Sequence, residues 1–498
     1  TDLFTTPTYD AYFKRVFQDT DLTNNEDTAN NTISKDERFY FYDVSAKFLY
    51  DITEKDKVRL NFLLVNNDIN YQEASSVNNV EAASDSNLNQ QNLASGISYS
   101  HTWNDQLESG IQFYGLEYNL HATNYDLVND QRLIQENKVL ETALKAYSNY
   151  ELNSNFKLSA GYQFTETGIS NLEDVNNPVF KSYIKEVIRN HAGFTEVKFL
   201  NNMASTNIKL GARVNYIEKF NTFLVEPRFT FSQRFLSHFR FELLGEFKSQ
   251  TTSQVIDLQN DFLGIEKRRW VLSNNASIPI IKSKQASAGL HFNKANWLLS
   301  AEAYFKQVEG ITTRSQGFQN QYQFVNDIGT YEVIGLDVLA NKQIGNFSTW
   351  LSYSYSENNY LFDFINNGER FPNNVDVRHA VSFGATQTLN NLKLAVGVNW
   401  HTGKPYTEPD TNNPVNNNQV IYNNPNNARL PDYFRADISA TYQFKLGNTT
   451  AIAGASVWNV LDRENVINTY YTAQDDRANK VETYSLGLTP NVSFRVNF

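Results

Sequence analysis

The stretch "YSLGLTPNVSFRVNF" (484–498) decides the fold class. Taken in steps of two from its end, one set is Phe498, Val496, Phe494, Val492, Pro490, Leu488, Leu486 and Tyr484. The other set is Asn497, Arg495, Ser493, Asn491, Thr489, Gly487 and Ser485. The first is apolar or aromatic and the second small or polar. Period two describes a strand with a different environment on each face, whereas a helix would scatter both sets around its wheel. The run is fifteen residues long, against roughly five or six for a globular strand. That length suits a tilted membrane crossing extended into a rim. Pro490 fits poorly, because it removes one ladder donor. Alone, the stretch also fits a long edge strand of a soluble sandwich, so the rest of the chain has to choose.

The alternation recurs. "FRADISATYQF" (434–444) puts Phe434, Ala436, Ile438, Ala440, Tyr442 and Phe444 on one face, and "KLAVGVNW" (393–400) does the same with Leu394, Val396, Val398 and Trp400. The pattern predicts nineteen strands, near 38–51, 56–68, 92–104, 107–121, 138–152, 156–170, 188–200, 206–220, 222–235 and 238–254, then 281–293, 295–309, 331–344, 347–358, 376–389, 392–402, 431–446, 449–461 and 482–498, with a partial strand at 1–7. Connections alternate in length. Short ones such as "TEKD", "NSN", "LNN" and "LGN" carry turn residues. Long Asn-rich segments fall near 69–91, 122–137, 172–187, 255–280, 310–330, 359–375, 403–430 and 462–481, and only the connection near Asn221 breaks the rule. Short turns at one end and long loops at the other mark a transmembrane antiparallel β-barrel, and a sandwich has no reason to sort its loops so. The fold class is therefore all-β. Parity places the short turns in the periplasm, the long loops outside, and the C-terminus at the periplasmic edge. There Phe498, Phe494 and Val496 serve assembly and closure, since an unpaired strand edge is not tolerated in lipid.

Composition agrees. The 498 residues contain no Cys, so disulfides and thiolate metal sites are excluded. No apolar run reaches 18 residues, so membrane-spanning helices are excluded, which leaves barrels untouched. The 28 Tyr and 35 Phe suit aromatic girdles at two membrane interfaces. A net charge of −11 without a basic stripe argues against nucleic acid. The opening "TDLFTTPTYD" is not a signal peptide.

From Glu226 onward the chain resembles TonB-dependent receptors of the Bacteroidota type. The carriers are "EPRFTFSQRF" (226–235), "IPIIKSKQASAGLHFNKANWLLSAEAYFKQVEGI" (278–311), "GLDVLANKQIG" (335–345), "FPNNVDVRHAVSFG" (371–384), "WHTGKPYTEP" (400–409), "LPDYFRADISATYQF" (430–444) and "NVLDRENV" (459–466). "TDLFTTPTYDAYFKRVF" (1–17) looks like the first extracellular segment of the same family. The resemblance implies a barrel of 22 strands filled by an N-terminal plug, energised through TonB–ExbB–ExbD by a box ahead of the plug. If residues 1–7 end strand three, the nineteen strands are four to twenty-two. Residues 1–498 then form one outer-membrane barrel domain, with strands one and two, plug and TonB box expected ahead of it. A SusD-like surface lipoprotein is the partner the resemblance brings with it.

Chemistry is sparse. No two of the seven His lie three or four apart, and no nucleophile elbow, P-loop or H-E-x-x-H is present, so no enzyme, metal site or cofactor is expected. "DLTNNEDTANN" (21–31) is oxygen-rich but lacks the order of a Ca²⁺ loop. Candidate ligand contacts are aromatic residues expected on extracellular loops, which stack on sugars or flat chelates: His401, Tyr406, Tyr470, Tyr471, Phe362 and Phe364. The bland alternative for each is loop packing. Trp400 is a girdle residue. Arg435, Asp437 and Arg495 fall on the polar face and are expected at the lumen wall, where a structural network competes with contact to plug or substrate. The functional expectation is import of a scarce glycan, peptide, siderophore or cobalamin. The alternatives are a barrel acting as a structural or docking subunit of a larger outer-membrane complex, and an open pore.

Overall fold

The computed structural model describes residues 32–77, 80–128, 130–201, 203, 205–256, 268–316, 325–417, 419–474 and 477–497. Segments 1–17 (with the partial strand expected at 1–7) and 21–31, and Phe498, lie outside them. The dominant element is one antiparallel sheet of 20 strands, of which Phe371–Pro372 is a two-residue strand. The other nineteen are the wall. They are β1 (Thr32–Asp51), β2 (Asp56–Val77), β3 (Val80–Thr102), β4 (Leu107–Asp126), β5 (Gln131–Glu151), β6 (Phe156–Asn176), β7 (Val179–Leu200), β8 (Thr206–Ile217), β9 (Thr222–Phe235) and β10 (Phe239–Gln250). Then come β11 (Ile281–Lys294), β12 (Trp297–Thr312), β13 (Ile328–Ile344), β14 (Phe347–Leu361), β15 (His379–Leu389), β16 (Leu392–His401), β17 (Tyr433–Leu446), β18 (Thr449–Trp458) and β19 (Thr489–Asn497). Each of the nineteen full strands expected has a counterpart, and each pairs with its neighbours in the chain. Among the described residues β1 pairs with β2 and β19 with β18, and no ladder joins β1 to β19.

Register sorts the two faces, because directly opposed residues share one face. Across β15–β19 the outward rows are Ala385–Val396–Ile438–Val457–Pro490 and Leu389–Leu392–Tyr442–Ala453–Phe494. Inward rows on either side of the first are Gly384–Gly397–Asp437 and Thr386–Ala395–Ser439–Ser456–Asn491. Aromatic pairs gather outward at the short-turn ends: Phe156–Phe199 at 4.9 Å, Phe235–Phe239 at 5.5 Å and Phe239–Phe292 at 5.0 Å between ring centroids. A second level carries Tyr216–Phe223 at 4.9 Å, and the outward-facing Trp400 opposes Phe434. On β17 the two levels are ten residue steps apart (444 − 434), roughly 33 Å along the strand and about 25 Å along the normal at a tilt near 40°. That matches the apolar band of a membrane barrel. At the upper level of β6–β8 the outward face turns ionic, with Arg189–Glu166 at 2.6 Å and His191–Glu218 at 2.7 Å.

Two predicted boundaries need correction. The Asn-rich segments near 69–91, 122–137 and 172–187 are not loops; the ladders of β2–β3, β4–β5 and β6–β7 run almost to the hairpin tips. Above the apolar band polar residues enter both faces beside apolar ones such as Ile69 and Leu88, so strict alternation is lost while backbone pairing continues. Amide ladders assist, as in Asn87 Nδ2 donating to Asn70 Oδ1 at 2.6 Å and Asn89 Nδ2 to Asp68 Oδ2 at 3.1 Å. The stretch 482–498 is also not one strand. Arg477–Tyr484 belongs to a loop hairpin with Val466–Gln474, and the wall strand starts at Thr489. Between them the backbone is taken by side chains: Leu488 N–H donates to Asp462 Oδ1 at 2.7 Å, and Leu486 O accepts Asn459 Nδ2 at 3.1 Å. Pro490 thus heads a strand instead of interrupting one.

Candidate functional site

The loops at the tall end fold onto the inner wall and line a mouth. The hairpin Thr252–Ile256/Arg268–Leu272 turns inward. Two inward-facing amides clasp its Trp270 peptide. Trp270 N–H donates to Asn137 Oδ1 at 2.9 Å, and Trp270 O accepts Asn137 Nδ2 at 3.1 Å and Asn171 Nδ2 at 3.2 Å. Beneath the clasp, Leu272 packs with Ile169, Ile188, Ile217 and Leu224, which sit on the inner faces of β6–β9. The strand face chosen by this loop identifies the lumen side for the whole register.

A second cluster caps β12–β14. Val308, Ile311, Tyr360, Phe362, Ile365 and Phe371 form a buried core. Tyr360 O–H donates to Gln316 Oε1 at 2.9 Å, and Asn374 Nδ2 to Gln316 O at 2.7 Å. Phe362 is 1% exposed, so it serves this core, whereas Phe364 is 77% exposed on the same loop. Gly329 makes room for the Phe362 ring, since a Cβ there would lie 2.4 Å from its Cδ1.

Asp376, fully buried, anchors the third group. It pairs with Arg429, receives Arg378 Nη2 at 3.1 Å, and accepts Asn358 N–H at 2.8 Å. Arg429 also donates from Nη1 to Asp376 O at 2.7 Å, which fixes the 403–430 loop to the 372–378 loop. Beyond this anchor the 403–430 loop meets the hairpin Val466–Gln474/Arg477–Tyr484. Tyr406 donates its O–H to Glu408 Oε1 at 3.0 Å, and its ring lies 5.8 Å from Lys480 Nζ. Tyr422 and Tyr471 meet edge-on at 6.4 Å and 74°. Lys480 pairs with Glu482 at 2.5 Å, and Tyr484 O–H donates to the same carboxylate at 2.9 Å. Desolvation, followed by the bond to Glu408, pushes the Tyr406 phenol above its ordinary range. Burial does the same to Tyr422. The hydrogen bond to Glu482 raises Lys480, and the bonds from Lys480 and Tyr484 lower Glu482, so that pair stays ionised. The result is three tyrosine rings beside two carboxylates, with Arg378, Arg429 and Lys480 each paired with a carboxylate.

Tyr406 and Tyr471 therefore converge, 65 residues apart in the chain (471 − 406). Tyr470 sits half-buried on the opposite face of the same hairpin strand. His401 is not in a loop: it is the last residue of β16, on the inner face, stacked on Tyr433 at 4.9 Å and 2°. Its Nδ1–H donates to Thr402 O at 2.8 Å. Arg435 and Asp437 form an in-strand pair on the lumen face at 2.8 Å, Asp437 Oδ1 accepts Asn459 N–H at 2.9 Å, and the guanidinium covers the Trp458 ring at 5.6 Å. Arg495 faces inward opposite Ile452, while Val496 and Phe494 face outward opposite Ala451 and Ala453. Tyr422, Glu408, Lys480 and the Asp376–Arg429 anchor were missed from the sequence. Their partners lie too far along the chain to show a spacing signal. Among the described residues, no group of three His, Asp or Glu could hold a metal ion. A groove of about 570 Å³ on the inner wall of β7–β13 mixes charges evenly, with Glu196, Glu246 and Glu302 against Lys209, Arg228 and Lys306.

Residues 1–460 match the family described as TonB dependent receptor-like, beta-barrel. No curated protein matches the chain. Several solved structures share the fold. The ferric citrate transporter FecA in its unliganded form superposes with a TM-score of 0.60 at 10% identity, over 94% of this chain and 75% of that one. The FrpB iron transporter from Neisseria meningitidis gives 0.60 at 10% identity, over 93% and 81%. The ferric yersiniabactin uptake receptor FyuA from Yersinia pestis gives 0.60 at 11% identity, over 94% and 79%. At such identities the likeness concerns the fold alone.

Proposed function

The chain belongs to the TonB-dependent receptor-like β-barrel family, and on that premise we propose that it imports a scarce nutrient across the outer membrane. Its long loops face outside and its short turns face the periplasm. Residues 1–498 act as one barrel domain, of the Bacteroidota type, working with a plug and a TonB box ahead of it and drawing energy from TonB–ExbB–ExbD. A SusD-like lipoprotein would close over the mouth.

The observation that carries this reading is the inward-folded loop layer, with Tyr406, Tyr422 and Tyr471 converging at its rim. Aromatic faces and carboxylates bind by stacking and by accepting hydroxyl protons. Because Arg378, Arg429 and Lys480 are already neutralised by carboxylates, the site favours an uncharged, hydroxyl-rich ligand such as a glycan over an anionic chelate. Of the residues proposed from the sequence, Tyr406 and Tyr471 hold the ligand; Tyr470, His401 and Phe364 are secondary contacts. The test is growth of a deletion strain on glycan, peptide or iron-chelate as limiting nutrient, complemented with wild type or with Tyr406→Ala/Tyr471→Ala. Lost growth on one nutrient, unrestored by the double variant at normal barrel abundance, supports the proposal. Unimpaired growth of the deletion strain on all of them removes it.

A further inference from the structure

At the short-turn end, a groove of about 840 Å³ crosses the outward face of β2–β6. Register builds it. Asp56, His101, Ser109, Ser148 and Ala160 are successive cross-strand partners and form one outward row. The next row upward is Val58, Tyr99, Ile111, Ala146 and Tyr162. The floor is therefore small (Ser109, Ala146, Ser148, Ala160), and Tyr99, Trp103 and Tyr162 stand around it as exposed walls.

The lower row is polar in an ordered way. Asp56 accepts Thr53 Oγ1–H at 2.5 Å and Tyr99 O–H at 2.6 Å, and it takes His101 Nδ1–H at 2.7 Å. His101 Nε2 is left without a protein partner among the described residues. Trp103 Nε1–H donates to Ser109 Oγ at 2.7 Å, so the Ser109 hydroxyl keeps its own proton to give. The Ser148 hydroxyl likewise has no protein partner among the described residues. One end of the row thus offers a carboxylate and an imidazole, and the other offers two hydroxyl donors. Adjacent strands lie about 4.8 Å apart, so the acceptor end and the donor end are one strand step from each other.

The polar atoms left over on a lipid-facing wall, here His101 Nε2 and the Ser109 and Ser148 hydroxyl protons, are satisfied by interfacial water or by lipid headgroups. A row with acceptors beside donors complements a head that carries an ammonium two carbons from a phosphodiester. We propose that this groove holds one zwitterionic aminophospholipid of the bilayer. The ammonium sits against His101 and Asp56, the phosphodiester accepts from Ser109 and Ser148, and one acyl chain runs upward over Ala146 between Tyr99 and Tyr162. The inference rests on the reading of the outward face as membrane-facing.

The experiment is native mass spectrometry of the detergent-purified protein offered equal amounts of phosphatidylethanolamine, phosphatidylglycerol and diacylglycerol. Selective retention of one phosphatidylethanolamine is expected. Ser109→Leu/Ser148→Leu should cut that retention at least tenfold, and the milder Ser148→Ala should lower it in the same direction. His101→Phe should erase the preference for phosphatidylethanolamine over phosphatidylglycerol. Heat-modifiable mobility shows that each variant is folded. Equal retention of the three lipids, or unchanged retention in the serine variants, overturns the proposal while the membrane reading stands. A wild-type protein that does not insert into vesicles of these phospholipids overturns both.

Discussion

Asp376 has no exposed surface, yet it shares its charge with Arg429 and Arg378. Removing one partner of such a buried group strands the others and costs about 3–5 kcal/mol. Asp376→Ala should therefore lower the urea midpoint of the refolded barrel and release the 403–430 loop to protease, whereas Thr411→Ala at an exposed loop position should change neither. Tyr406 makes a different prediction. Its phenol is raised, first by desolvation and then by Glu408. A raised folded value means the native state holds the proton more tightly. The associated stability is complete below the ordinary value near 10 and is lost as pH climbs through the folded one. The denaturant midpoint should fall over that alkaline window, and less steeply in Tyr406→Phe; equal slopes would show the phenol to be ordinary. At this scale the sequence was half legible. Tyr406 and Tyr471 stood out as loop aromatics, but Phe362 and Phe364 looked equivalent, and only the fold around Gly329 decides that one is core and the other exposed.

Individual elements were legible wherever lipid imposes alternation. Strands β15–β18 follow it closely, since their outward rows are apolar except at Gln387 and at Thr449 beside a turn. The hairpins of β2–β7 rise above the band, where polar and apolar residues mix on the faces, so pattern stops before pairing does. The final strand shows the converse: Ser485–Leu488 keep period two, but Ser485 N–H donates to Asn465 O, Leu486 O accepts from Asn459 and Leu488 N–H donates to Asp462. Loop placement was not legible at all, because the clasp on Trp270 is made by Asn137, 133 residues earlier. That clasp should be separable. Asn137→Leu removes two of the three hydrogen bonds to a covered peptide, at a cost of about 1–3 kcal/mol for the group left unpaired. Hydrogen exchange should quicken at Arg268–Leu272 and stay slow in β5 and β6. Protection unchanged at Trp270 would mean that packing alone holds the hairpin.

The whole molecule is read as one sheet with lipid outside and a polar lumen inside. Ile438 faces outward between the two aromatic levels of β17, and Ser439 beside it faces inward. An Arg on the lipid face near the midplane costs about 2–4 kcal/mol. Ile438→Arg should reduce heat-modifiable assembly strongly and Ser439→Arg should leave it near wild type; the reverse order would invert the faces. All 498 residues lack Cys, so a single introduced thiol is unique among them and reports sidedness most directly. Asn412→Cys lies on a long loop and Ser154→Cys on a short turn, both at exposed positions. With a membrane-impermeant maleimide on intact cells, the account predicts labelling at 412, and labelling at 154 only after the outer membrane is permeabilised. Labelling at 154 but not at 412 on intact cells, or equal labelling at both, would contradict an outer-membrane importer whose tyrosine-lined mouth faces the medium.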